Sequence, residues 1–264
     1  MRLVFPALTC WLIAAAAIAG DRGRIAIIID DLGNSRELGE QALALPGAIT
    51  YSLLPQRPYS REIARAAHRQ GREVMLHLPM QASDNREMGH GGLHLAMSRE
   101  EFRREVHGNL QAVPHVVGVN NHMGSLLTRK SAAMRWLMQD LRCGGELYFV
   151  DSRTDVRTVA RKLAREAGLA NAQRDVFLDH DPAPESVRRQ LARLVERAQR
   201  RGSAIAIGHP YPQTLAVLSE QLPLLADQGV DLVAVSQLVE QRRNTPIWHA
   251  CSSPLPTVAK NSRP

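Results

Sequence analysis

The order of apolar and polar positions switches between two periods along the chain. Short, nearly continuous apolar runs at 24–29, 48–53, 73–76, 116–119, 146–150, 175–178, 203–207 and 231–235 read as buried strands. Between them, apolar residues recur at helical spacing over 35–45, 59–70, 98–113, 131–141, 155–167, 185–201 and 213–227. Gly71, Gly144, Gly168, Gly202 and Gly229 stand just past helical stretches, where a left-handed residue ends a helix. Pro223 interrupts the last stretch, which is expected to kink or split.

Strands that alternate with helices predict a parallel α/β architecture in a single domain. A closed or nearly closed (β/α) barrel of about seven or eight parallel strands fits best, with an open doubly wound sheet as the alternative. Loop 83–94, rich in Gly and polar residues, reads as a rim loop or lid.

Both ends depart from this pattern. The chain opens Met1-Arg2, runs apolar from Leu3 to Ala19, and reaches Ala17-Ile18-Ala19. That is the form of a secretory signal cleaved after Ala19, and the run is short for a membrane span. The expected organisation is a signal peptide at 1–19, a barrel domain at 20–243, and a tail at 244–264. The tail carries Pro246, Pro254, Pro256 and Pro264 and is expected to be extended or disordered. The mature chain is expected to have no transmembrane span and to be exported to a bacterial periplasm or cell envelope.

Charge and composition narrow the partners. There are 33 Lys and Arg against 26 Asp and Glu, a net +7, and only 4% aromatics. So few aromatics leave little for a base-stacking platform, and export also argues against nucleic acid. Much of the basic excess lies on 186–202, opposite Val187, Leu191, Leu194, Val195 and Ala198. This is a solvated helix face, or a surface for an anionic cell-wall polymer or lipid headgroup. Cys10, Cys143 and Cys251 show no CxxC spacing, against a thiolate zinc site, although Cys143 and Cys251 could pair in an oxidising compartment.

Chemistry-bearing residues collect at strand ends. Asp30 and Asp31 close the first run, His77 the third, Asn120-Asn121-His122 follow the fourth and Asp151 ends the fifth. Asp179-His180-Asp181 end the sixth, and His209 lies just past the seventh. In a parallel barrel these ends meet on one face. Two adjacent carboxylates repel unless a cation or proton separates them. One then ligates and the other takes a proton from attacking water. Asp31, His77 and His122 form a plausible zinc set with an open position. His209 could protonate a leaving group, and Asn121, Asp151 and Asp179 could orient an imidazole or bind substrate. Blander roles stay open: helix caps for the Asp pair and Asp151, a core histidine for His77, a turn for His209, a helix start for Asp181.

Ile-Ile-Asp-Asp-Leu-Gly at 28–33, His-Leu-Pro-Met at 77–80, Asn-Asn-His-Met-Gly-Ser at 120–125, Phe-Val-Asp-Ser-Arg-Thr at 149–154 and Ile-Gly-His-Pro at 207–210 together resemble the divergent polysaccharide deacetylase family, over roughly 24–241. The resemblance implies a distorted TIM-like barrel and kinship with metal-dependent carbohydrate esterases, whose substrates are acetylated glycans such as chitin or peptidoglycan. It implies Asp30 as base, Asp31 and His77 as metal ligands, and His209 as acid. Those esterases carry a second histidine four residues after the first; here that position is Gln81, so His122 is the expected third ligand. Their third-motif arginine has no match in 120–125. The expected function is an exported, metal-dependent, most simply zinc-dependent, deacetylase of an envelope polysaccharide. A silent module that binds glycan or envelope protein partners is the second reading. A glycosidase that pairs Asp30 with Asp151 is the third.

Overall fold

The computed structural model describes residues 22–84 and 86–241. The expected signal peptide, the tail, Cys10 and Cys251 lie outside them. Cys143 is disulfide-bonded.

Nine strands form one sheet: β1 (Gly23–Leu32), β2 (Thr50–Leu53), β3 (Glu73–Met80), β4 (Val116–Met123), β5 (Tyr148–Asp151), β6 (Ala170–Gln173), β7 (Val176–Phe177), β8 (Ser203–Gly208) and β9 (Val230–Leu232). All pairings are parallel, in the order β6-β5-β4-β3-β2-β1-β8-β7. Strand β9 pairs with Gly23–Ile25 of β1, below the stretch of β1 that pairs with β2. The two ends of the path, β6 and β7, are consecutive in the chain. No ladder joins them among the described residues. Arg174 N donates to Asp151 O and Asp175 N to Ile205 O, so the backbone itself bridges the seam. The result is a curled, incompletely laddered TIM-like barrel in one domain.

Helices α1 (Arg36–Leu43), α2 (Ser60–Arg69), α3 (Arg99–Ala112), α4 (Ser131–Cys143), α5 (Ala160–Glu166), α6 (Pro184–Arg201) and α7 (Pro212–Gln221) follow the strands, and α8 (Val235–Gln241) follows β9. Their caps follow the local sequence. Ser35 Oγ accepts from Leu38 N to start α1, and Ser98 with Glu101 forms a capping box on α3. Gly202 ends α6 at φ +79, but Gly144 is right-handed, and the left-handed residue after α4 is Gly145. The stretch before Pro223 ends in a short 3₁₀ turn, Leu222–Leu224, as the break requires. No described helix is long and apolar enough to cross a membrane.

Strand parity sorts the core. Ile25, Ile27 and Ile29 of β1, and Val74, Leu76 and Leu78 of β3, belong to one large cluster that includes the buried faces of the helices. Ala26, Ile28, Met75, Val150, Ile205 and Ile207 fill the barrel interior with Val235, Leu238 and Val239 of α8. The α8 backbone is tied to the strand starts: Val235 N donates to Thr50 Oγ1 and Ser236 N to Glu73 Oε1. The helix therefore plugs the N-terminal end of the barrel. The opposite end is left for chemistry.

On α6 the predicted apolar stripe is buried, and most arginines opposite it are already engaged. Arg188 pairs with Glu185 and Glu220, Arg197 with Asp175, and Arg200 with Glu196. This is a solvated face with internal partners.

Candidate active site

The strands outrun their apolar sequences. β1, β3 and β4 continue through the polar residues expected to lie at or past their ends. His77 pairs in register with Asn120, and Pro79 with His122. Parity then turns Asp30, His77, Asn120 and His122 into the barrel, like Ile28, Met75 and Gly118 before them.

Strict alternation would send Asp31 the other way. It does not, because the β1–β2 register shifts between Ile29 and Leu32 and Asp31 sits at φ +58. Asp tolerates this left-handed conformation better than most residues. The irregularity brings both carboxylates to one site. Met123 (φ +53), the last residue of β4, and Arg153 (φ +52), just past β5, share this left-handed conformation.

Asp31 Oδ1 lies 3.1 Å from His77 Nε2 and 2.9 Å from His122 Nδ1, and the two nitrogens are 3.2 Å apart. Yet Asp31 Oδ1 is buried and accepts no hydrogen bond in proper geometry. Three electron-pair donors thus face one another around a common point, within ligating reach of a single ion. One carboxylate and two imidazoles match the chemistry of a divalent transition-metal site. On both counts the residues present fit a cation.

A second set of groups holds these in place. Asn120 is wholly buried. Its Nδ2 donates to both oxygens of Asp30, at 2.8 and 3.1 Å. Its Oδ1 accepts from Ser52 Oγ at 2.6 Å and faces His77 Nδ1 at 2.9 Å. An amide oxygen can only accept, so His77 Nδ1 carries a hydrogen, and Nε2 is the nitrogen that can offer a lone pair to the cluster once it gives up its own proton. Asp179 does the same for His209. It accepts from His209 N at 2.6 Å and Thr214 Oγ1 at 2.9 Å, and lies 2.9 Å from His209 Nδ1. His209 Nε2 is left 3.8 Å from Asp31 Oδ2. A Cβ on Gly208 would meet Leu178 Cδ1 at 3.2 Å and the Asp179 carboxylate at 3.4 Å, so the strand passes close beneath this ion pair.

Electrostatics separates the roles. Burial pushes the Asp30 carboxyl above its ordinary value, against the opposing pull of His77, His209 and Asn120. Burial acts on Asp31 too, but His122 and His77 outweigh it and hold this carboxyl well below the usual range. Burial disfavours an imidazolium at His77; Asp30 and Asp31 overcome it and push the group up to about 9. His209 is also raised, since the Asp179 contact outweighs its burial.

These residues open onto a cavity of about 570 Å³, whose wall includes Asn121, Ser152, Arg153, Arg174, Phe177 and His180. Asn121 lines it, but its amide is committed to the turns, donating to Met123 O and accepting from Ser152 N. Asp151 is not on this wall. Its oxygens accept from Arg153 N, Thr158 Oγ1 and Arg161 N. It clamps the turn before α5, so it neither touches substrate space here nor faces Asp30 as a glycosidase pair. Gln81 is no ligand either. Its Oε1 accepts from Leu95 N, while Gln81 N and Leu93 N pin the rim loop back on β3. Asp181 starts α6, accepting from Ala183 N and Ser186 Oγ.

Two participants escaped the sequence reading. Asn120 lay inside the singled-out segment, and its spacing of two from His122, which puts both on one strand face, was the available signal. Arg174 had none: it follows β6, an Ala-Asn-Ala-Gln strand without apolar pattern. Its guanidinium donates to Ser152 O and Arg153 O and lies over the Phe177 ring.

Residues 27–239 match the family described as divergent polysaccharide deacetylase. The chain is 39% identical to the uncharacterised YibQ of Escherichia coli K12 over 83% of its own length and 68% of that protein. Among solved structures, the uncharacterised ATU2773 of Agrobacterium tumefaciens superposes with a TM-score of 0.79, at 23% identity over 83% of this chain and 90% of that one. A family 4 carbohydrate esterase from Streptomyces lividans, solved with acetate, gives 0.52 at 16% identity over 86% and 99%. A family 4 pseudoenzyme from Bacillus anthracis gives 0.51 at 14% over 83% and 66%. The structural likenesses are of fold.

Proposed function

Because the chain belongs to the divergent polysaccharide deacetylase family, we propose that it is an exported, metal-dependent hydrolase that deacetylates an envelope polysaccharide. The observation that carries this reading is the convergence of Asp31 Oδ1, His77 Nε2 and His122 Nδ1 on one point, with a further carboxylate and a further imidazole beside it.

Asp31, His77 and His122 would hold a divalent cation, most simply zinc, which supplies Lewis-acid polarisation of the acyl carbonyl. Asp30 is the base. Burial makes its carboxylate a stronger proton acceptor than an exposed one, and Asn120 fixes its plane. It takes the proton of the attacking water as the hydroxyl adds to the acyl carbon. His209 is the acid. Asp179 orients the ring and favours its protonated form, so Nε2 is placed to deliver a proton to the departing amine or alkoxide. The bond from the acyl carbon to the sugar's nitrogen or oxygen breaks, leaving acetate and a free amine or hydroxyl.

Fold alone does not decide activity, since the family 4 scaffold carries both an esterase and a pseudoenzyme. The donor set supports the active reading. The silent-module alternative drew on the missing histidine at position 81. With Gln81 holding the rim loop and His122 among the donors, that absence no longer favours it. Export is supported by the apolar N-terminal segment 1–19.

The test is acetate release from N-acetylated and O-acetylated oligosaccharides, comparing the zinc-equilibrated chain with Asp30→Asn. Release by the parent and loss in the variant is expected. No release across the panel, or equal release by both, overturns the reading.

A further inference from the structure

A second cavity, about 320 Å³, opens beside the first. Arg153 stands on the wall of both. The rest of the second wall is strongly basic, with Arg161, Lys162 and Arg165 of α5 facing the β6 side chains Asn171 and Gln173. Lys162 lies 3.9 Å from Glu166. The guanidinium groups of Arg153, Arg161 and Arg165 have no carboxylate partner among the described residues. On α6, by contrast, Arg188, Arg197 and Arg200 each pair with a carboxylate. The one carboxylate on the wall, Asp151, is already satisfied by Arg153 N, Thr158 Oγ1 and Arg161 N.

The turn that carries Arg153 is also built with unusual care. Arg153 is held at φ +52, a conformation that costs free energy for a side chain of this size. Buried Asp151 fixes its N–H, Arg174 fixes the carbonyls of Ser152 and Arg153, and Asn121 fixes Ser152 N. Three polar side chains maintain a strained turn whose product is one arginine standing between two cavities.

We propose that this cleft binds an anionic group of the glycan, a carboxylate or phosphate, while the acyl group occupies the first cavity, so that the substrate is an acidic polysaccharide. The inference rests on the hydrolase reading of the adjoining cavity. Three unpaired guanidinium groups around a concave site suit a planar or tetrahedral oxyanion, which each can hold through paired N–H donors. The Gln173 amide, and the carbonyl of Asn171, whose Nδ2 already donates to Leu169 O, add polar groups for sugar hydroxyls.

The test is equilibrium binding of three probes to the full chain at low salt. They are an N-acetylglucosamine tetrasaccharide, the same tetrasaccharide with a terminal phosphate, and a tetrasaccharide alternating N-acetylglucosamine with glucuronic acid. At least one acidic probe is expected to bind about tenfold or more tightly than the neutral one, as charge-assisted bonds to guanidinium imply. The acidic arm that wins identifies the anion. The ratio should collapse toward one in Arg161→Gln/Arg165→Gln and persist in Arg200→Gln/Arg201→Gln, which removes equal charge from α6. Equal binding of all three probes overturns the proposal. So does a ratio that survives the first double variant, or one that falls equally in the second. Acetate release recorded on the same samples reports on the hydrolase reading separately, since the binding ratio needs no turnover.

Discussion

Asn120 grips Asp30 with one end of its amide and orients His77 with the other. One neutral, buried side chain thus sets both the plane of the proposed base and the tautomer of a proposed metal ligand. Asn120→Ala is predicted to weaken zinc affinity and turnover by roughly 10- to 100-fold, the usual effect of removing such a support. Chelator competition and steady-state kinetics measure the two. Ser52→Ala, which removes one hydrogen bond to the same amide, should act in the same direction and less.

His209 and Asp179 form a separable unit. His209→Ala is predicted to keep the bound cation and lose about 10²- to 10⁴-fold in turnover, the range of a general acid. Asp179→Asn should also keep the cation but lower turnover, because an amide no longer favours the charged imidazole. Metal content measured beside kcat distinguishes this from collapse of the site.

Proton and cation compete for His77. With its pKa pushed up to about 9, the metal-free site holds an imidazolium at neutral pH, and binding must expel that proton. Apparent zinc affinity is predicted to rise about tenfold per pH unit through the neutral range and to flatten above about pH 9. The metal-free chain should show the opposite trend in stability. A raised folded-state pKa contributes stability fully present below the unfolded value near 6.5 and lost as pH rises through about 9. Zinc titrations and thermal melts across this window check both signs.

Gln81→His tests the departure from the esterase pattern. The side chain at 81 is turned to the rim loop, so a histidine there is predicted to add no metal. It should instead cost about 1 kcal/mol through the lost bond to Leu95 N. Unchanged metal stoichiometry with a lowered Tm is the expected pair of results.

Much of this was legible because the barrel is a parity device. Apolar runs announced β1, β3, β4, β5 and β8, and their polar continuations pointed to one rim. The strand lengths were not legible, since β1, β3 and β4 run on through Asp, His and Asn that sequence patterning reads as loop. The sequence reading expected Asp31 to reach the site at a turning strand end. The structure gives the means, a register shift and a left-handed residue within β1. β6 was missed because Ala-Asn-Ala-Gln has no apolar period; its edge position and the seam beside it need none. α8 was missed because its job is to plug a barrel end, a tertiary role that seven residues do not announce. For Asp151 the sequence leaves an orienting or substrate role and a cap before the next helix equally open, and its bonds to Arg153 N, Thr158 Oγ1 and Arg161 N decide for the cap.

The central claim is that Asp31, His77 and His122 bind a cation together. It is tested most directly by metal content of the full chain after equilibration with zinc and desalting, beside Asp31→Ala. About one zinc per chain, lost in the variant, is the predicted result. No retained zinc in the parent, or equal zinc in both, would contradict it.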